Sequence, residues 1–135
     1  MTVVALHGFT GSGADWAPFA RELEQRVVAP DLLGHGAAPA PSNAEDYRAM
    51  SMVRAVSRDL PSEGPLVLMG YSMGGRVALR LVPQLGSRLS GLVLLGAHPG
   101  LEDSVERSER IASDHSVAGM IEERGMEWFL SLIHI

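Results

Sequence analysis

The sequence predicts an α/β protein on a doubly wound, mostly parallel sheet, and three observations predict it. Short aliphatic runs recur along the chain, each opens onto a glycine-rich or turn-rich segment, and stretches with helical spacing lie between them. The runs are Thr2 to Leu6, Val27 to Ala29, Leu66 to Met69 and Leu92 to Leu95. They do not alternate with polar residues, the pattern of strands covered on both faces. Asp15 to Gln25 places Trp16, Phe19, Ala20 and Leu23 on one helical face, with Asp15 at the cap. Ala44 to Leu60 turns Met50, Val53, Ala55 and Val56 inward and is stopped by Pro61. A third helix begins just after Ser72, carries Val77, Ala78, Leu81 and Val82, and ends before Pro83. Strand and helix thus alternate throughout, which implies right-handed crossovers. From Leu101 to Trp128 the chain is charge-rich and helical in pattern, as expected of a cap or lid excursion. Ala37 to Ser42 is of low complexity and reads as a surface loop.

Composition narrows the function. A chain of 135 residues buries roughly two-thirds of its unfolded surface, enough for a core without covalent staples. Its net charge of −5, with every basic side chain an arginine, argues against a nucleic-acid groove or a polybasic membrane patch. Without cysteine it has no disulfides, no thiolate chemistry and no cysteine-based zinc site. The first residues carry neither a basic region nor a signal-length apolar stretch, so a cytoplasmic location is expected. No cofactor, metal, nucleic acid, membrane or specific protein partner is expected.

In an open parallel sheet, ligands sit beyond the carboxyl ends of the strands. One such end reads Gly70-Tyr71-Ser72-Met73-Gly74-Gly75, a G-x-S-x-G sequence between a predicted strand and a predicted helix. A turn that sharp strains the backbone at Ser72 and leaves no room for side chains two residues to either side. A second end, His7-Gly8-Phe9-Thr10-Gly11-Ser12-Gly13, permits a loop whose N–H groups converge near Ser72. The backbone N–H groups of Phe9 and Met73 are the candidate oxyanion pair. The same glycines would also suit a phosphate loop, but neither G-x-G-x-x-G nor Gly-Lys-Ser/Thr is present. His98 follows a third strand end, yet the hydrolase order is serine, acid, histidine, so it reads as a structural loop residue rather than the base. His35, in Gly34-His35-Gly36, is expected to support loop architecture.

With these segments in place the chain resembles the α/β-hydrolase superfamily. More narrowly, Gly11-Ser12-Gly13-Ala14-Asp15-Trp16, Ser72 to Arg76, and Gly96-Ala97-His98-Pro99-Gly100-Leu101 leading to Glu106-Arg107-Ser108-Glu109-Arg110 resemble the 2-succinyl-6-hydroxy-2,4-cyclohexadiene-1-carboxylate synthases of menaquinone biosynthesis. The resemblance implies an α/β-hydrolase fold and a lyase. Its serine, with His and Asp, acts as a base, and pyruvate leaves a cyclohexene polycarboxylate as a ring diene forms. It also implies that Arg76 and Arg110 hold substrate carboxylates and that Tyr71 and Trp128 line the pocket. Arginine suits carboxylates because its planar fork pairs them bidentately. Surface pairing of Arg107 and Arg110 with Glu106, Glu109 or Asp103 is the alternative that spacing allows. A serine ester or thioester hydrolase and a non-catalytic binding module are the competing functions.

The family pattern requires an acid and a histidine after two further strands. All eight acidic residues beyond Ser72 fall in the lid segment. The expected organisation is therefore a truncated one: residues 1–100 as the N-terminal part of a hydrolase core, 101–129 as the start of a helical lid, and 130–135 as a non-native tail. Leu130-Ser131-Leu132-Ile133-His134-Ile135 matches one reading frame of a common sequencing adapter.

Overall fold

A computed structural model describes residues 1–133; His134 and Ile135, which end the stretch read as a tail, lie outside the described residues. Four strands, β1 (Thr2–Leu6), β2 (Arg26–Val28), β3 (Leu66–Tyr71) and β4 (Leu89–Leu95), form one sheet in the order β2-β1-β3-β4. Every pairing is parallel, with Val4 opposite both Val28 and Leu68. Helices α1 (Ala17–Glu22), α2 (Ala49–Asp59) and α3 (Met73–Leu85) alternate with the strands as the sequence predicts. From β1 the chain passes to β2 on one side and later to β3 on the other. The crevice beyond the carboxyl ends of β1 and β3 is therefore the switch point of the sheet.

The chain divides into two compact units, Met1–Pro99 and Gly100–Ile135. In the first, α3 packs on β1, β3 and β4, and α2 packs on α3. Leu6, Leu32, Leu66, Leu68 and Leu81 are fully buried there, each worth about 1.5–3 kcal/mol. The second unit holds α4 (Ser104–Arg124) and α5 (Met126–Ile133), which agrees with the helical pattern expected after residue 100. Asp103 caps α4, its carboxylate accepting from the N–H groups of Val105 and Glu106. No helix among the described residues is long and apolar enough to cross a membrane.

Several expectations need correction. Only β1 has an interior covered on both faces; β4, an outer strand of the described sheet, leaves Leu92, Val93 and Leu95 exposed while Leu89 and Leu94 meet the core. Asp15 is not a helix cap: a 3-10 turn at Gly13–Trp16 precedes α1, and Asp15 Oδ2 reaches back to accept the Ser12 N–H at 2.9 Å. The segment from Ala44 is broken because Arg48 is extended, with ψ 152°, between a 3-10 turn at Ala44–Tyr47 and α2. That break sets the phase of α2, so Met52 is buried beside Val53 and Val56 while Met50 is 50% exposed. The end of α2 follows the expectation, since Leu60 is extended as the residue before Pro61 must be. Pro83 does not end α3, which continues to Leu85. Proline removes one hydrogen bond there, and burial of Leu85 holds the final turn in place.

Candidate functional site

Ser72 is the one non-glycine residue with positive φ among the described residues, at φ 50° and ψ −115°. Two features hold it there. Its N–H donates to the Leu95 carbonyl at the end of β4 over 2.8 Å. Its flanking glycines pack at backbone distance: a Cβ on Gly70 would lie 2.5 Å from Gly75 Cα, and one on Gly74 would lie 2.3 Å from the Leu6 carbonyl oxygen. Gly75 is crowded in turn by Ala97, whose Cβ would be 2.4 Å away. The G-x-S-x-G spacing is thus a packing requirement: α3 starts flush against the end of β1, and only glycine lets it come so close.

The loop after β1 shares this wall. A Cβ on Gly8 would be 2.8 Å from the Tyr71 ring and 3.6 Å from Ser72 Cβ, which sets Phe9 one residue from the serine's neighbourhood. Met73 begins α3 immediately after Ser72. Tyr71 is 54% exposed and its ring lies between Gly8 and Gly96. Arg76 is exposed one turn along α3, and its N–H reaches the Ser72 carbonyl at 3.3 Å. The first unit therefore holds Tyr71, Ser72 and Met73 at the switch point, with Phe9 on the adjoining loop and Arg76 one turn along α3.

Arg110 and Trp128 belong to the second unit and are described within it. Arg110 Nε donates to Asp114 at 2.8 Å in an exposed pair four residues apart on α4. That partner is none of the acids the spacing offered, and so exposed a pair contributes little. Arg107 instead donates to the Glu102 carbonyl at 3.2 Å. Trp128 is half-buried, with the Arg124 guanidinium 4.8 Å above its ring centre. His98 is exposed on the loop after β4.

His35 does support the loops. Its Nε2 lies 2.5 Å from the Phe9 carbonyl oxygen and its Nδ1 3.0 Å from that of Leu33, while its ring meets Phe9 edge-on. Two further organisers were not foreseen. Asp31, after β2, accepts the Gly13 N–H at 2.7 Å and the Ala37 N–H at 2.8 Å, joining the loops after β1 and β2. Those amides, Ala37 first, hold its carboxyl below the usual carboxylate range. A Cβ on Gly36 would fall 2.2 Å from its Oδ2, which requires the bare backbone there. Removing the carboxylate in Asp31→Ala should cost about 2–4 kcal/mol, since charge-assisted bonds to two amides are lost together. Urea denaturation checks it.

His7 is the second organiser. It is buried, accepts the Leu32 N–H on Nε2 at 3.0 Å, and donates from Nδ1 to the Gly8 carbonyl at 2.8 Å, an arrangement that needs the neutral ring. Burial lowers its pKa below 6.5, with the Gly8 hydrogen bond acting the other way and His35, Asp31 and Asp15 as the nearby charges. The unfolded chain therefore takes up a proton that the folded chain refuses. Stability is full above about pH 6.5 and declines as pH falls toward the lower folded value. The melting temperature should drop between pH 7.5 and 5, and His7→Gln, uncharged throughout, should flatten that slope.

Residues 2–120 match the alpha/beta hydrolase fold family. A Bacillus subtilis (strain 168) protein assigned as a 2-succinyl-6-hydroxy-2,4-cyclohexadiene-1-carboxylate synthase is 39% identical over 96% of this chain and 48% of its own. The structure of MenH from S. aureus superposes with a TM-score of 0.80 at 27% identity, covering 97% of this chain and 50% of that one. A thermophilic esterase from Thermogutta terrifontis, solved with malate bound, gives a TM-score of 0.73 at 25% identity over 98% of this chain and 48% of that one. The chain spans about half the length of these relatives.

Proposed function

Because the chain belongs to the alpha/beta hydrolase fold family, we propose that its Ser72 site serves the lyase step of menaquinone biosynthesis, removing pyruvate from a cyclohexene polycarboxylate. The observation that carries this reading is the strained Ser72 at the switch point with Arg76 one turn beyond it. The 39% identity to a synthase supports a polycarboxylate as the substrate class. On this reading residues 1–100 are the N-terminal part of the hydrolase core and 101–129 part of a helical lid. Ser72 works with a histidine and an acid, as the resemblance to the synthases implies.

The chemistry follows from charge. The serine oxygen, relieved of its proton by the histidine, takes a proton from the substrate ring. The electron pair left behind forms the second ring double bond, the C–O bond to the enolpyruvyl group breaks, and the enolate that departs takes up a proton at its methylene carbon to become pyruvate. The N–H groups of Phe9 and Met73 stabilise the oxygen on which negative charge develops, aided by the positive end of α3. Arg76 and Arg110 hold carboxylates, and Tyr71 and Trp128 line the pocket. An ester hydrolase is the second reading, favoured by the likeness to the Thermogutta esterase.

The test is a chimera in which residues 2–129 replace the matching half of the Bacillus subtilis relative. Pyruvate release that falls about a thousandfold in Ser72→Ala, the range general base catalysis spans, supports the lyase. Cleavage of p-nitrophenyl acetate with no pyruvate would overturn it in favour of the hydrolase.

A further inference from the structure

Along α3 from the serine, the helix, the start of α2 and the turn before it border an open pocket of about 160 Å³, lined by Tyr47, Met52, Met73, Arg76, Val77 and Arg80. Its chemistry is unusual for the outer face of a helix. Arg76 and Arg80 are four residues apart, where like charges repel. Neither arginine forms an ion pair among the described residues, unlike Arg48 with Glu45 or Arg110 with Asp114. Arg80 also folds back along the helix, its Nη1 donating to the Arg76 carbonyl at 3.3 Å. Arg80 and Arg76 are both exposed, and both line the pocket. Tyr47, half-buried, is seated by Gly34, where a Cβ would lie 2.8 Å from its ring. Met73, which lines this pocket, follows Ser72 directly at the start of α3.

We propose that Arg80, with Arg76 and Tyr47, forms a subsite for a second carboxylate arm of the substrate, extended along α3 away from Ser72. Two forks facing one small cavity bind a carboxylate in the plane that both can reach, and the aliphatic wall of Met52, Met73 and Val77 takes the carbons of the arm. Arg80 is the residue that makes the site select a polycarboxylate over a monocarboxylate ester. The assignment rests on the proposed reading of Ser72 for its substrate class, but the binding it describes requires no catalysis.

Succinate is the probe, titrated calorimetrically into the whole 135-residue chain and into Arg80→Met, Arg80→Lys and Arg58→Met. Arg80→Met keeps the stem and should weaken succinate about tenfold or more, as expected for a lost bidentate charged pair. Arg80→Lys keeps the charge without the fork and should fall between. Arg58→Met removes an equal charge outside the cavity and should change binding by less than about twofold, the effect of screened long-range charge. Amide shifts induced by succinate should centre on Tyr47 and residues 73–80. Equal weakening by Arg58→Met, no weakening by Arg80→Met, or no binding to the parent chain would overturn the subsite. Arg80-dependent succinate binding together with failure of pyruvate release would sink the lyase reading and leave the subsite standing. Pyruvate release with an Arg80→Met KM unchanged would do the reverse.

Discussion

Gly74→Ala is expected to destabilise the protein by about 3 kcal/mol or more, the upper range for an atom forced into packed structure. The added methyl would sit 2.3 Å from the Leu6 carbonyl oxygen and 2.5 Å from that of His7. Both are backbone atoms of β1 or its immediate continuation, and β1 is the most deeply buried strand. No side-chain rotation relieves such a clash, so α3 must lift from the sheet and take the core contacts of Val77, Ala78 and Leu81 with it. With total stabilities of about 5–15 kcal/mol typical of single domains, a loss of that size lowers the melting temperature by about 10 °C. Gly119→Ala is the contrast. It lies in α4 with nothing within 4 Å of the new atom, and should gain up to about 1 kcal/mol from helix propensity. Thermal melts of the two variants side by side decide the matter; equal behaviour would mean that the packing at Gly74 is not as tight as its distances imply.

Ser72→Gly should have the opposite signs for stability and activity. The native backbone at this position lies in a region that costs a residue with a Cβ about 1–3 kcal/mol. Glycine occupies it freely, so after glycine's own larger loss of chain entropy the variant should be about 1 kcal/mol more stable. Pyruvate release from the chimera should at the same time fall about a thousandfold, because the proposed base is gone. Ser72→Ala shares that loss of activity without the gain in stability. A glycine variant no more stable than the alanine variant would show that the turn stores no strain.

The strands and the serine turn were legible because both are written locally. Aliphatic runs such as Thr2 to Leu6 end in glycines, and the glycines at 70 and 74 bracket Ser72 at the one spacing the turn accepts. The order of elements followed from the alternation alone. What escaped depends on contacts between segments far apart in the chain. Asp31 stands just past the run Val27 to Ala29 with no motif to mark it, and its role comes from Gly13 and Ala37, which only the fold brings to it. His7 was read only as the start of the glycine-rich loop after β1, and its partner Leu32 lies 25 residues away. The choice between Met50 and Met52 turned on one extended residue, Arg48, that helical spacing passes over without a signal. The exposure of Leu92, Val93 and Leu95 was hidden for a related reason: an aliphatic run reports that a strand is apolar, not its place in the sheet.

The bonds from Asp31 and His35 have a mechanical consequence. The loop bearing Phe9 is moored at its middle by an imidazole and at its far end by a carboxylate, and both anchors stand on the segment that follows β2. That strand is three residues long, lies at the margin of the described sheet and, among the described residues, is zipped to β1 alone. Fraying of the shortest rung of the sheet therefore slackens the loop beside the serine, so substitutions at Val27 or Val28, remote from the chemistry, govern how rigidly it is held.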